Sequence, residues 1–338
     1  MTVKKIGFLS FGHYGPGTVT PTAADALTQM VELAVAAEEL GVDGAYLRVH
    51  HFAPQFASPF PLLAAMAART SRIELGTGVI DMRYENPLYM AEAAAAADLI
   101  SGGRLQLGIS RGSPEPALNG ASAFGYVPAD GETDADLARR HTQLFRLAIG
   151  GAGVAEADPR MTGGRRGRLA VDPLSETLPE RIWWGSGTRA TAKWTAGQGM
   201  NLMSSTLLTE DTGVPFDELQ AEQIEVFREE WRRHDWGREP RVSVSRSVIP
   251  LTTDTDRRYF GRERGSEDQV GWLDGGLARF GKSYVGEPDV IAKELAADAA
   301  VQAADTVLVT VPNQLGVDYN AHLLESIVRE VAPGAGWR

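Results

Sequence analysis

Two adjacent histidines, His50 and His51, end the stretch "AYLRVHH", which reads as a short strand running out into a loop. Side chains alternate between the faces of a strand, so strand geometry through both would aim only one imidazole at a shared site. The same alternation makes them a poor metal pair, because two rings on one face need His-x-His spacing and none occurs here. His13, His141, His234 and His322 supply no H-E-x-x-H or similar spacing either, so no metal is expected. A single inward imidazole at a strand end, acting as acid/base or hydrogen-bond donor, fits the residues better.

A second group of residues suits an anion. Residues 185–190, "GSGTRA", follow a strand and open a helix. Small residues there expose backbone N–H groups at the positive end of the helix dipole, so Ser186, Gly187, Thr188 and Thr191 form a candidate phosphate seat. The plainer reading is a turn with a helix cap. The string also satisfies a permissive G-x-G-x-x-A dinucleotide fingerprint, which needs an acidic residue at the end of the next strand. Ser205 stands there, so dinucleotide binding of the Rossmann kind is not expected. Arg111 directly follows the strand-like "RLQLGIS", where its planar fork can grip a phosphate. Arg139, on the next helix, can reach the same anion or lie on a solvated face. "LGTGVIDM", residues 75–82, sets two glycines around Thr77, either as a simple turn or where backbone must approach a flat ligand.

These residues need a scaffold that gathers strand ends. Eight strand candidates begin near residues 3, 43, 73, 104, 181, 200, 241 and 305, each short, mostly apolar and separated from the next by helix. That is how a parallel sheet buried on both faces is written. Helix signals support the pattern: Thr22 is a candidate N-cap with Gly41 past the end of its helix, and Ser58 precedes Pro59 at a first helical position. Eight β/α units predict an α/β fold, a (β/α)8 TIM barrel with insertions in the loops at its C-terminal face, with an open doubly wound sheet as competitor. One domain over residues 1–338 is expected, with insertions at about 111–132, 150–179 and 253–285. The first and last of these would wall the mouth, with Phe124, Tyr126, Tyr259 and Trp272 as candidate lining residues. Residues 253–285 show no clear strand or helix of the main pattern.

Composition narrows the chemistry. There is no cysteine, which removes disulfides, thiolate nucleophiles and Cys-ligated metals together. A net charge of −11 argues against non-specific nucleic-acid binding. No stretch approaches the roughly 18 apolar residues of a membrane span, and a cytoplasmic location is expected.

In order and spacing, "YLRVHHF", "ELGTGVI", "GGRLQLGISRG" and "GSGTRATAKWTAGQG" resemble the bacterial-luciferase-like flavin-dependent oxidoreductases over nearly the whole chain. The resemblance implies reduced FMN, or in some branches deazaflavin F420, bound at the barrel mouth, with O2 and C4a-peroxyflavin chemistry acting on a small organic substrate. It implies His50 at the flavin's oxygen-reacting edge with His51 as its neighbour. It also implies a non-proline cis peptide between Gly78 and Val79 beneath the ring, and a phosphate grip from Arg111, Arg139 and residues Ser186 to Thr191. Ser110 stands where luciferase has a reactive cysteine, and the glutamate that opens luciferase's phosphate loop is missing from "WGSGTRA". The resemblance further implies a flavin reductase as donor of reduced FMN and a homodimer. An F420-dependent oxidoreductase and a non-catalytic flavin-binding subunit are the alternatives.

Overall fold

In the computed structural model, which describes residues 3–112, 115–210, 212–262, 267–273 and 276–337, the chain opens with strand β1 (Lys5–Ser10). The barrel strands that follow are β2 (Gly44–Leu47), β3 (Glu74–Asp81), β4 (Leu105–Ser110), β5 (Ile182–Ser186), β6 (Asn201–Ser204), β7 (Val242–Pro250) and β8 (Thr306–Val311). Each starts one or two residues after its predicted position. All eight pair in parallel and in sequence order, and β8 returns to β1 with Lys5 opposite Thr306. The pairing of Val242 on β7 with Leu202 on β6 completes the ring. The sheet is therefore a closed (β/α)8 barrel and not an open one.

Between the strands lie α1 (Ala23–Glu39), α2 (Pro59–Arg69), α3 (Pro87–Ser101), α4 (Asp134–Ile149), α5 (Arg189–Gly197), α6 (Phe216–Trp231), α7 (Pro288–Ala297) and α8 (Val317–Ser326). Thr22 caps α1 in a full capping box with Asp25. Ser58 occupies the cap position of α2 without a side-chain hydrogen bond, leaving Pro59 to start that helix. No helix among the described residues is long and apolar enough to cross a membrane.

Strand alternation sorts the core into two. Ile6, Phe8, Ala45 and Leu47 join the large cluster between strands and helices, whereas Leu9, Tyr46, Trp183, Met203 and Leu308 fill the barrel interior. The Tyr46 ring fits only because glycines surround it: a Cβ on Gly76 would sit 2.4 Å from the ring, and one on Gly44 2.6 Å. Deeper still, Glu74 closes the N-terminal end, with both guanidinium nitrogens of Arg241 at 3.0 Å and Lys5 also bonded to it. This plug leaves the C-terminal end as the place for a cavity.

The insertions differ in kind. Among the described residues, 111–132 carry one short helix, Gly120–Ala123, and residues 150–179 hold a two-stranded hairpin pairing Ala155–Glu156 with Arg168–Leu169. Contrary to expectation, 253–285 is well furnished. It contains the helix Asp254–Phe260 and the antiparallel strands Gln269–Leu273 and Gly276–Phe280, which add Leu207–Leu208 as a third. Its last strand, Ser283–Gly286, pairs in parallel with β7. These strands are too short and Gly-rich to show a period of two in the sequence.

Candidate active site

A cavity of about 370 Å³ opens at the C-terminal ends of the strands. Leu9, Met203 and Leu308 form its floor, so the inner core doubles as the bottom of the site. The size lies within the range typical of small-ligand pockets.

One end of the cavity is cationic. Arg111 stands just past β4 and Arg139 on α4, and among the described residues neither forms an ion pair. Arg139 instead lies over the Trp194 ring, 5.2 Å from its centroid. Facing them is the start of α5, where the Thr188 side chain caps the helix by accepting the Thr191 N–H at 3.1 Å. The Ser186 hydroxyl donates to the Thr188 carbonyl at 2.9 Å. The Glu210 carboxylate accepts the Arg189 N–H at 2.9 Å, so this helix end already holds one anionic oxygen.

Beside them the backbone is bare. Gly78 and Val79 line the cavity and the peptide bond between them is cis, within a stretch where the β3–β4 register slips between Thr77 and Ile80. Packed beside them, a Cβ on Gly185 would lie 3.2 Å from both Ser110 and Val79. Gly112 has φ +87° and its absent Cβ would fall 1.8 Å from Asp81 Oδ2, so only glycine lets Arg111 sit where it does.

Gly78, Val79, Ser110, Arg111, Arg139, Ser186, Gly187, Thr188 and Thr191 thus all line one cavity. His50 and His51 do not touch its wall. Strand β2 ends at Leu47, so strict alternation no longer governs them, and Arg48 and Val49 take the wall positions instead. His50 is nearly buried, with Nδ1 3.1 Å from Glu115 Oε2 but off line for a hydrogen bond, and Nε2 without a partner among the described residues. His51 is buried in an aromatic nest, stacked on Tyr84 at 4.3 Å and edge-on to Phe124 at 5.2 Å. Phe124 is therefore a wall of the His51 nest, Tyr126 packs on His141, Tyr259 on Tyr319, and the Trp272 side chain lies outside the described residues.

Arg48 and Glu115 are among the lining residues that the sequence did not single out. Arg48 is mostly buried, its guanidinium 5.0 Å from the Phe11 ring centroid. Glu115 is 4% exposed at the side chain and accepts the His51 N–H at 3.4 Å. Burial pushes its carboxyl up to about 7, and burial together with the nearby Arg48 charge pulls His50 down to about 4. Between about pH 5 and 6, then, a neutral imidazole faces a carboxyl that is largely protonated. The only sequence signal for Glu115 was an isolated acid in "SPEPALNG", four residues after Arg111.

The mouth of the barrel thus gathers the Arg111 and Arg139 guanidiniums, the start of α5, the Gly78–Val79 backbone and the Glu115 carboxyl, with the His50 imidazole beside that carboxyl and off the wall. The chain belongs to the luciferase-like monooxygenase family, whose model matches residues 4–260. An uncharacterised protein, y4wF of Sinorhizobium fredii, is 30% identical over 203 residues, covering 59% of this chain and 56% of that one, so the match spans about half of that relative. The F420-dependent glucose-6-phosphate dehydrogenase of Kribbella flavida is 28% identical over 259 residues, 68% of this chain and 72% of that one. Among solved structures, monooxygenase RslO1 from Streptomyces bottropensis superposes with a TM-score of 0.73 at 19% identity, covering 97% of this chain and 99% of that one. The oxygenating constituent of 3,6-diketocamphane monooxygenase from Pseudomonas putida, in complex with FMN, gives 0.69 at 18%, covering 98% and 99%. At such identities the structural likeness speaks for the fold. The family thus has both flavin-dependent and F420-dependent members among this chain's relatives.

Proposed function

We propose that the protein is a flavin-dependent monooxygenase that uses reduced FMN and O2 on a small organic substrate, the reduced FMN arriving from a separate reductase. The observation that carries this is the pair of guanidiniums, Arg111 and Arg139, without carboxylate partners among the described residues at one end of a cavity whose wall runs past Gly78 and Gly185. A phosphate satisfies both cations, and a flat ring suits a surface where Gly78 and Gly185 present no side chain.

On this reading Arg111, Arg139 and the hydroxyls of Ser186, Thr188 and Thr191 hold the phosphate, while Gly78 and Val79 bear the ring. When bound in its reduced form, the cofactor supplies the electrons that activate O2. Leu9, Met203 and Leu308 keep the floor dry. His50 stands off the wall beside Glu115, so its role is exercised through that residue: the Glu115 carboxyl, titrating near 7 and lining the cavity, gives or takes the proton, and the neutral imidazole 3.1 Å away adds no positive charge that would hold the carboxyl ionised. The homodimer and the cytoplasmic location belong to the same proposal.

The test is direct. FMN added to the purified chain should bind with flavin fluorescence quenching, and O2 uptake should require a flavin reductase and NAD(P)H. Tight binding of F420 with no FMN-linked O2 uptake would replace this reading with that of an F420-dependent oxidoreductase. FMN binding without any turnover would favour a non-catalytic flavin-binding subunit.

A further inference from the structure

We propose that the substrate is a small carboxylic acid, bound as its carboxylate by Arg48 with its apolar part against Phe11 and Val49. This names the substrate class of the monooxygenase read above, and it rests on the cofactor's phosphate lying at Arg111 and Arg139.

The mouth divides into two arcs. The phosphate seat draws on the ends of β4 and β5, through Arg111 and Ser186 to Thr191. Phe11 directly follows β1 and Arg48 directly follows β2. In a closed ring of eight, β1 stands opposite β5, and Gly78 and Val79 of β3 lie between the two arcs. Three strand spacings of about 4.8 Å separate the arcs, roughly 14 Å around the ring. A second charged group therefore has its own place, away from the phosphate.

Local structure fixes that place. The Arg48 N–H donates to the Ser10 carbonyl at 2.9 Å, which carries the β1–β2 pairing one residue past Leu47. Gly12, at φ +65°, donates its N–H to the Ser10 hydroxyl at 3.3 Å and turns the chain just after Phe11. The Arg48 guanidinium lies 5.0 Å from the Phe11 ring centroid, and both residues line the mouth cavity with Leu9, Val49 and Gly78.

Charge points the same way. The charged residues lining the cavity, among those described, are Arg48, Asp81, Arg111, Glu115 and Arg139. Asp81 is held by Arg83 at 2.6 Å. Glu115 feels the Arg48 charge, which lowers its carboxyl, but burial outweighs this and pushes it up to about 7. Below that pH the carboxyl adds no negative charge near the guanidinium, and its O–H can donate to an incoming anion. A phosphate matches Arg111 and Arg139. The third guanidinium, Arg48, is held partly out of water, and burial pulls it below its ordinary value. One planar fork among apolar side chains suits a planar monoanion on an apolar body, which is a carboxylate; a second phosphate would call for a second cation, as at the other arc.

The test compares hexanoate, benzoate and phenylacetate with their primary amides. Binding is read by flavin absorbance on the FMN-loaded chain and by calorimetry on the chain without FMN, in the wild type, Arg48→Met and Arg48→Lys. Methionine keeps the stem and removes the charge, whereas lysine keeps the charge without the fork, so a folding defect in one variant leaves the other informative. At least one acid should bind about tenfold or more tighter than its amide. That preference should vanish in Arg48→Met and shrink in Arg48→Lys, with the FMN Kd changed by less than about twofold. No acid preference in the wild type, or one indifferent to Arg48→Met, overturns the proposal and leaves the FMN reading standing. So does a loss of FMN affinity of about tenfold in Arg48→Met, which would assign the guanidinium to the cofactor's ring. An Arg48-dependent acid preference on a chain that binds no FMN would keep the carboxylate site and overturn the flavin reading instead.

Discussion

At the scale of single residues, the unusual pair is Glu115 and His50. Burial raises one carboxyl to about 7 and lowers one imidazole to about 4, so each is biased to its neutral form. Replacing Glu115 by Gln should remove a limb near pH 7 from the pH profile of kcat/KM. Glu85, also raised to about 7 by burial and the Asp81 charge but not on the cavity wall, is the control whose Gln variant should keep that limb. Turnover in His50→Ala should fall by about 10²-fold or more while the FMN Kd moves little; full oxygenation by that variant would remove His50 from the mechanism. Arg111→Ala should weaken FMN by roughly 10- to 100-fold, the worth of about 1.5–3 kcal/mol for a charge-assisted hydrogen bond, as read by fluorescence titration.

At the scale of elements, the site depends on how β4 ends and α5 begins. Gly112 turns the chain at φ +87° with Asp81 packed where a side chain would go, and Asp81 is itself held by Arg83 at 2.6 Å. Gly112→Ala should therefore cost about 1–2 kcal/mol from backbone conformation alone, and more from the overlap with Asp81. Because Arg111 is the adjacent residue, FMN affinity should fall along with the urea midpoint. Thr188→Ala removes the cap of α5 and should lower stability by about 1 kcal/mol. If Thr188 also touches the phosphate, FMN binding should weaken as well, which a cap lost elsewhere, such as Thr22→Ala on α1, should not do.

The whole molecule is a ring, and its coherence is tested far from the mouth. Arg246, on β7, is buried with its guanidinium bonded at 2.7 and 3.0 Å to Asp298 beyond α7, and Tyr284 donates to the same carboxylate at 2.6 Å. Burial alone would raise the Asp298 carboxyl, but the Arg246 charge and hydrogen bonds outweigh it and hold it below its ordinary value. That contribution to stability is present above the carboxyl's unfolded pKa and is lost as pH falls through the lower folded value. Asp298→Ala strands the buried guanidinium and should cost about 3–5 kcal/mol in urea denaturation; a change below about 1 kcal/mol would mean that the pair is not buried as described.

Read by itself, the sequence determined what depends on near neighbours. The starts of all eight strands, the Thr22 cap and the break after Ser110 follow from periodicities and turn residues within a few positions of one another. So does the gathering of Arg111 and the "GSGTRA" segment, once eight β/α units imply a ring whose strand ends share one face. The tertiary structure alone decided where the histidines go. Past Leu47 the chain has left the strand, so packing against Tyr84 and Glu115, brought in from the loops after β3 and β4, sets the imidazole directions. It also decided that Arg139 reaches the mouth cavity, because that depends on how closely α4 approaches the strand ends, a distance set by ring closure and absent from any local pattern.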